Sequence, residues 1–269
     1  MKYLFIIATL LLFTLNSQGQ KTDTVFIQKQ DLDLKHLRTG DSTYILYFKK
    51  TAEGPAERMT LVKINVAPTV INGKKAFAIT QQWDAGDAVA HTSYTVHDAE
   101  DFSTLRHEIR WERNEVWRRP NAFSAKFDFM AKQVSFEEGV DEARKSQIVK
   151  DFNDSFDSYN LCWHSDLAIF PLFPYENGRT FKVNFYDPGA SKAQIVEYVV
   201  TGGEMLNGSG GEKIDCWVME HKFQSGNGDG RQRFWISKKT REVLKEEDQY
   251  PGGFRYKMKI GISGEKGLR

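Results

Sequence analysis

The chain has 269 residues, with 37 basic and 36 acidic side chains and a net charge of +1. That balance lacks the basic excess of a polyanion binder and excludes a nucleic-acid partner as an expectation. A composition of 40% hydrophobic and 13% aromatic residues excludes a disordered chain and supplies a large core, or a core plus an apolar cavity.

Residues 1–19 read as a secretory signal peptide. Lys2 gives a positive start, Leu4 to Leu15 is an apolar run broken only by Thr9 and Thr14, and Ser17 and Gly19 are small residues at positions −3 and −1 of a cleavage site. The run is shorter than the ~20 residues of a membrane span. No Cys follows it to take a lipid. Cleavage after Gly19 leaves 250 residues with equal numbers of acidic and basic side chains. The expected product is a soluble periplasmic protein, or a fully secreted one, that is not a lipoprotein and has no transmembrane anchor.

From residue 43 the dominant period is two, the spacing of half-buried strands. Val62, Ile64 and Val66 alternate with polar residues, as do Phe77, Ile79 and Trp83. Leu105, His107, Ile109 and Trp111 follow, then Phe123, Phe127 and Phe129. Asp141–Asp151 is a weak helical candidate, polar on most faces. Between Asp157 and Phe170 the spacing becomes helical, with Tyr159, Cys162, Trp163, Leu167 and Phe170 apolar, Asp157 or Ser158 as cap, and Pro171 and Pro174 as stops. Alternation then resumes at Phe181, Val183 and Phe185, and at Phe234 and Ile236. In Phe254–Ile260 every even position is apolar and every odd one basic, so Arg255, Lys257 and Lys259 are expected on the wet face. Asn72-Gly73, Asp84–Asp87, Asp187-Pro188-Gly189, Asn207-Gly208, Asn227–Gly230 and Pro251–Gly253 mark turns between these runs. The expected fold class is mainly β: one domain over 20–269, with a β-half at 43–138, a helix at 157–170 and a β-half at 178–262.

Catalytic and metal signatures are absent at the level of spacing. His91 and His97 share a strand face but lie roughly 20 Å apart along it, so no metal site is expected and the histidines read as ordinary surface or core residues. Asp151–Ser155 opens like a calcium loop, but Phe156 stands where the turn needs Gly and Cys162 where a bidentate Glu belongs. Gly208-Ser209-Gly210 and Gly226–Gly230 read as hairpin tips. Glu137-Glu138 and Glu246-Glu247 point to opposite strand faces and read as solvated edges. No cofactor is expected and no catalytic residue is assigned. Cys162 and Cys216 permit one disulfide in an oxidising compartment, and equally two buried thiols.

The second half resembles a family of exported bacterial proteins catalogued as domain of unknown function 3108. The resemblance rests on Tyr159–Phe170 running into Leu172-Phe173-Pro174, on Glu176–Phe181, on Gly211–Glu220, and on the Trp-Ile-Ser strand within Phe234–Leu244. Thr43–Glu138 is similar to its opening meander more loosely, and Lys238-Lys239 stand where the family often has Asp. The resemblance implies a curved antiparallel sheet, a half-open β-barrel wrapped around one short helix, similar to periplasmic lipoprotein-localisation carriers that hold acyl chains.

The expected function is therefore a non-enzymatic binder of a lipid or other amphiphile, or of an envelope protein partner. Trp83, Trp111, Phe127, Phe129, Trp163, Phe170 and Phe173 are the expected ligand-lining residues. The alternatives are a hydrolase acting on an envelope or dietary polymer, and a structural module of the cell envelope. Two carboxylates or a His–carboxylate pair inside the sheet would favour the first of these.

Overall fold

A computed structural model describes residues 23–225 and 228–262. The leader reading of residues 1–19, and residues 226 and 227 of one predicted turn, lie outside the described residues. The architecture is one highly curved sheet. Its first half in sequence contains β2 (Gly40–Lys49), β3 (Glu57–Ile71), β4 (Lys74–Ala85), β5 (Ala88–Asp98), β6 (Thr104–Trp111), β7 (Phe123–Asp128) and β8 (Gln133–Glu138). Its second half contains β10 (Thr180–Tyr186), β11 (Gln194–Asn207), β12 (Lys213–Ser225), β13 (Gly228–Ser237), β14 (Val243–Tyr250) and β15 (Gly253–Lys259).

Each strand in a half pairs antiparallel with the next, and β15 pairs antiparallel with β2, which joins the halves into one sheet. At one end β10 carries two short parallel partners, β1 (Thr24–Phe26) and β9 (Leu161–Cys162). At the other end stands β8, and the sheet order runs from β1 to β8 without closing. The turn signals explain the meander. At Asn72-Gly73 both φ angles are positive, +48° and +80°, the conformation a two-residue hairpin needs to match the strand twist.

The concave face is closed by the segment between the halves. That segment is not the single helix expected over 157–170. The weak candidate is the longer helix, α1 (Glu142–Asp154), and Asp141 caps it by accepting from the Arg144 N–H. Ile148 and Phe152 of α1 pack on Phe127 and Tyr186. Residues 155–173 form a knotted-up plug of short turns: 3-10 turns at Ser155–Asp157, Trp163–Ser165 and Phe170–Leu172, β9, and the one-turn α2 (Asp166–Ile169). The helical spacing misled because Leu161-Cys162 satisfies its backbone against the edge of β10 instead of within a helix. Asp157 accordingly ends a 3-10 turn and neither it nor Ser158 caps a helix.

The main core draws on both halves and the plug: Val62, Ile64 and Ile79, then Phe170 and Phe173, then Phe181, Tyr198 and Phe234. A second core sits under α1, and a third lies on the opposite side of β12–β14 around Cys216, Val218 and Trp235. Phe234 and Ile236 thus face the main core while Trp235 faces the third, as their alternation predicts.

The faces of β15 are reversed from expectation. Lys257 is 6% exposed and Arg255 points the same way, while Tyr256 stacks on Tyr47 at 5.2 Å on the other face. The basic row turns inward because β14, next to it, presents Glu246 and Asp248 to the same interior. Glu246, read as a solvated edge residue, is 2% exposed.

Candidate functional site

Alternation aims two kinds of polar residue into the concave face. On β5 the inward residues are His91, Ser93, Thr95 and His97, and on β6 they include His107 and Ile109, with Thr95 directly opposite His107. Trp83, His91 and Trp111 form one cross-strand row, with His91 stacked on Trp111 at 4.0 Å between ring centres. The plug meets these rows. Gln81 donates to the His164 carbonyl, and the Ser165 hydroxyl lies 2.8 Å from His97 Nε2.

This arrangement gathers His91, His107, Cys162, His164 and Asp187. The His164 ring lies 4.8 Å from that of His107 and 5.4 Å from that of His91. Cys162 Sγ is 3.7 Å from His107 Nδ1, and His164 Nδ1 is 3.4 Å from Asp187 Oδ1. His107, Cys162 and His164 offer ligand atoms within 4.8 Å of one another. Burial holds all three imidazoles below their ordinary range, so they are neutral, and it pushes the Cys162 thiol up. The cluster escaped sequence reading because its members come from β5, β6, β9, the plug and the end of β10. A local sign was the period-two placement of His107 between Leu105 and Ile109.

The second inward polar group is ionic. Glu246 lies 2.6 Å from both Arg255 and Lys257, and Asp248 lies 2.5 Å from Arg255. Asp166 of α2 adds a third carboxylate. Burial raises Asp166 and Asp248 to about 6, whereas the two cations beside Glu246 hold it below the ordinary carboxylate range.

Between β2, β3 and the plug lies a cavity of about 550 Å³. Tyr44, Ile64 and Val66 of the sheet and Leu167, Ala168 and Pro171 of the plug form its apolar wall. Arg38, Glu242 and Lys259 stand at its charged side, where Glu242 pairs with both cations. A larger cleft, about 610 Å³, crosses the outer face between β2 and β8 and is lined by polar residues including Lys63, Asn65, Glu108 and Lys126.

The seven aromatic residues expected to line a ligand are not gathered into one wall. Phe127, Phe170 and Phe173 are at most 1% exposed. Phe170 and Phe173 belong to the main core, with Trp83 and Trp163 packed against it, while Phe127 belongs to the core under α1, with Trp111 and Phe129 packed there. Among the described residues none of the seven lines the 550 Å³ cavity. They interdigitate as core, with Phe170 on Phe234 at 4.8 Å and Trp163 on Phe185 at 4.9 Å. Cys162 and Cys216 are both free and buried in different clusters, so the permitted disulfide is not formed.

Three solved structures share similarity with the chain. A beta-barrel-like protein of domain of unknown function DUF1849 from Brucella abortus gives a TM-score of 0.44 at 6% identity, covering 86% of this chain and 100% of that one. The hypothetical lipoprotein YmcC from Escherichia coli (K12) gives 0.30 at 12% identity, covering 84% and 89%. A proposed outer membrane lipoprotein-sorting protein domain from Vibrio parahaemolyticus gives 0.22 at 12% identity, covering 86% and 87%. No curated protein matches the chain. Among family models, the one described as protein of unknown function (DUF3108) matches residues 43–259. No helix among the described residues is long and apolar enough to cross a membrane.

Proposed function

Since the chain belongs to the DUF3108 family, whose description assigns no activity, we propose a function from the geometry: an exported, non-enzymatic protein that binds an amphiphilic molecule. The apolar part enters the cavity between β2, β3 and the plug, and an anionic head group meets Arg38 and Lys259. The observation that carries this reading is the two-sided character of that 550 Å³ cavity, with aliphatic and Tyr44 walls on one side and a Glu242-bridged pair of cations on the other. Its volume falls in the range of small-molecule sites, about 300–1,000 Å³. Each buried methylene of a ligand contributes roughly 0.8 kcal/mol before ordering costs. The proposed place of work is the periplasm, on the sequence of residues 1–19.

The hydrolase reading has one observation in its favour, the proximity of Cys162, His107, His164 and Asp187. A nucleophilic thiol needs a lowered pKa, and burial drives that of Cys162 upward. The paired carboxylates Glu246 and Asp248 are held by Arg255 and Lys257 and are not free acids or bases.

The test is native mass spectrometry, with organic extraction, on protein purified from the periplasm of an expressing bacterium. A stoichiometric amphiphile is expected on the wild type, absent from Ala168→Trp, which fills the cavity, and reduced in Lys259→Met. An apo mass that takes up no added fatty acid or phospholipid overturns the proposal.

A further inference from the structure

The histidines on the concave face differ in how they are satisfied. His97 uses both nitrogens: Nδ1 lies 3.1 Å from the Phe102 carbonyl, so it carries the proton, and Nε2 accepts from the Ser165 hydroxyl. In His91 and His107 only Nδ1 is engaged, and that of His107 also meets Cys162 Sγ at 3.7 Å. His91 Nδ1 lies 2.9 Å from the Arg110 carbonyl, and His107 Nδ1 lies 2.9 Å from Thr95 Oγ1. In both, Nε2 is buried without a hydrogen-bond partner among the described residues, and both residues are 0% exposed. An unpaired buried acceptor is costly and uncommon in a folded protein. His164, whose ring lies 4.8 Å from that of His107 and 5.4 Å from that of His91, turns its Nδ1 to Asp187 at 3.4 Å.

We propose that His107, Cys162 and His164 bind a zinc ion, with Asp187 orienting His164 and water in the fourth position. Nδ1–H anchored to a carbonyl, hydroxyl or carboxylate, with Nε2 left bare, is how a protein presents imidazole to a metal. Two nitrogens and one sulfur suit a borderline-soft cation; calcium and magnesium take oxygen ligands. Bonds of about 2.0–2.3 Å in a tetrahedron put ligand atoms roughly 3.5 Å apart. The cluster spans up to 4.8 Å, so a rotation of the imidazoles by about an ångström closes it. The Asp187 side chain is 30% exposed and gives the ion a polar route in. On binding, the Cys162 thiol becomes a thiolate and its proton passes to solvent.

The experiment is titration of the full chain, stripped of metal, with cobalt(II) and then zinc. The wild type and Cys216→Ser are expected to take up one equivalent of cobalt, with a thiolate-to-cobalt charge-transfer band that zinc abolishes. Cys162→Ser is expected to lose the band, and to bind zinc at least tenfold more weakly by competition with a chelator. His164→Gln is expected to weaken zinc binding by a similar factor while circular dichroism shows a folded β protein. A folded wild type without the band overturns the proposal, as does a band that survives Cys162→Ser.

Discussion

Two polar islands interrupt the apolar concave face, and they solve the problem of burial in opposite ways. On β14 and β15 the groups are charged and paired, with Glu246 and Asp248 against Arg255 and Lys257. On β5, β6 and the plug the groups are neutral, and several polar atoms have no partner. A paired buried network tolerates low dielectric because each charge has a counter-charge; an unpartnered neutral group has nothing to offset its desolvation. The contrast separates structure from function. The ionic island is charge-paired within the chain, with Asp248 Oδ1 and Arg255 Nε left without a hydrogen-bond partner among the described residues. The histidine island is incomplete, which makes it the better candidate for a missing ligand.

The sharpest way to break the ionic island is to remove one sign. Lys257→Met leaves Glu246, Asp248 and Asp166 facing Arg255 alone. A loss of about 3–5 kcal/mol is expected, because the remaining charge is buried and uncompensated. Urea unfolding followed by tryptophan fluorescence measures it. Adding Glu246→Gln to Lys257→Met is expected to recover much of the loss. Recovery of nothing would mean that the lysine acts through packing.

Acid tests the two islands next: the buried histidines and Glu246, all shifted down, lose their contribution as pH falls, whereas Asp166 and Asp248 shift the other way. Burial holds His97 neutral down to about 4, while an unfolded histidine takes its proton near 6.5. Its contribution is full above pH 6.5 and is lost as pH falls through that window, a change of about 3 kcal/mol. His91, His107 and His164 shift in the same direction. Asp166 and Asp248 are raised to about 6, so what they contribute is present below the ordinary carboxylate range and is lost as pH rises through 6. Four histidines outweigh two carboxyls, and stability is expected to fall from pH 6.5 to 4. His97→Gln, which has nothing to titrate, should flatten that limb, and Asp248→Asn should steepen it. Urea midpoints at four pH values decide between these outcomes; a flat wild-type profile would show that the histidines are solvated.

The same contrast explains what could be read from the sequence. Strand alternation, hairpin turns and the mainly β class were legible because each depends on neighbours within a few residues, whereas the curvature was implied only by the family resemblance. Thus Asn72-Gly73 announced its hairpin, and Phe234, Trp235 and Ile236 announced their faces. The orientation of β15 was not legible, because either face of Phe254–Lys259 satisfies alternation. Only the carboxylates of β14 decide that the lysines turn inward. Plug and helix were exchanged for a related reason: Leu161-Cys162 finds its hydrogen bonds on β10, about twenty residues away in sequence. The histidine island was invisible at the level of spacing, since its ligands are brought together by sheet order and by the fold of the plug.

The smallest predicted effect tests whether the histidine island is organised or accidental. Thr60 and Thr95 are both buried threonines of the sheet, 1% and 0% exposed. The Thr60 hydroxyl has no hydrogen-bond partner among the described residues, whereas that of Thr95 lies 2.9 Å from His107 Nδ1. Valine at position 60 removes a polar group that lacks a partner, so Thr60→Val should be neutral or slightly stabilising. Thr95→Val strips the short anchor from His107 Nδ1 and leaves it only the longer Cys162 contact, for a loss of about 1–2 kcal/mol. Thermal unfolding of the two variants side by side reads the difference. With zinc added the two should diverge further, because an imidazole without its anchor must be oriented by the metal alone, and Thr95→Val should then bind about tenfold more weakly than the wild type. Equal behaviour of the two variants would show that the Thr95–His107 contact is incidental packing and that nothing holds the imidazole ready for a ligand.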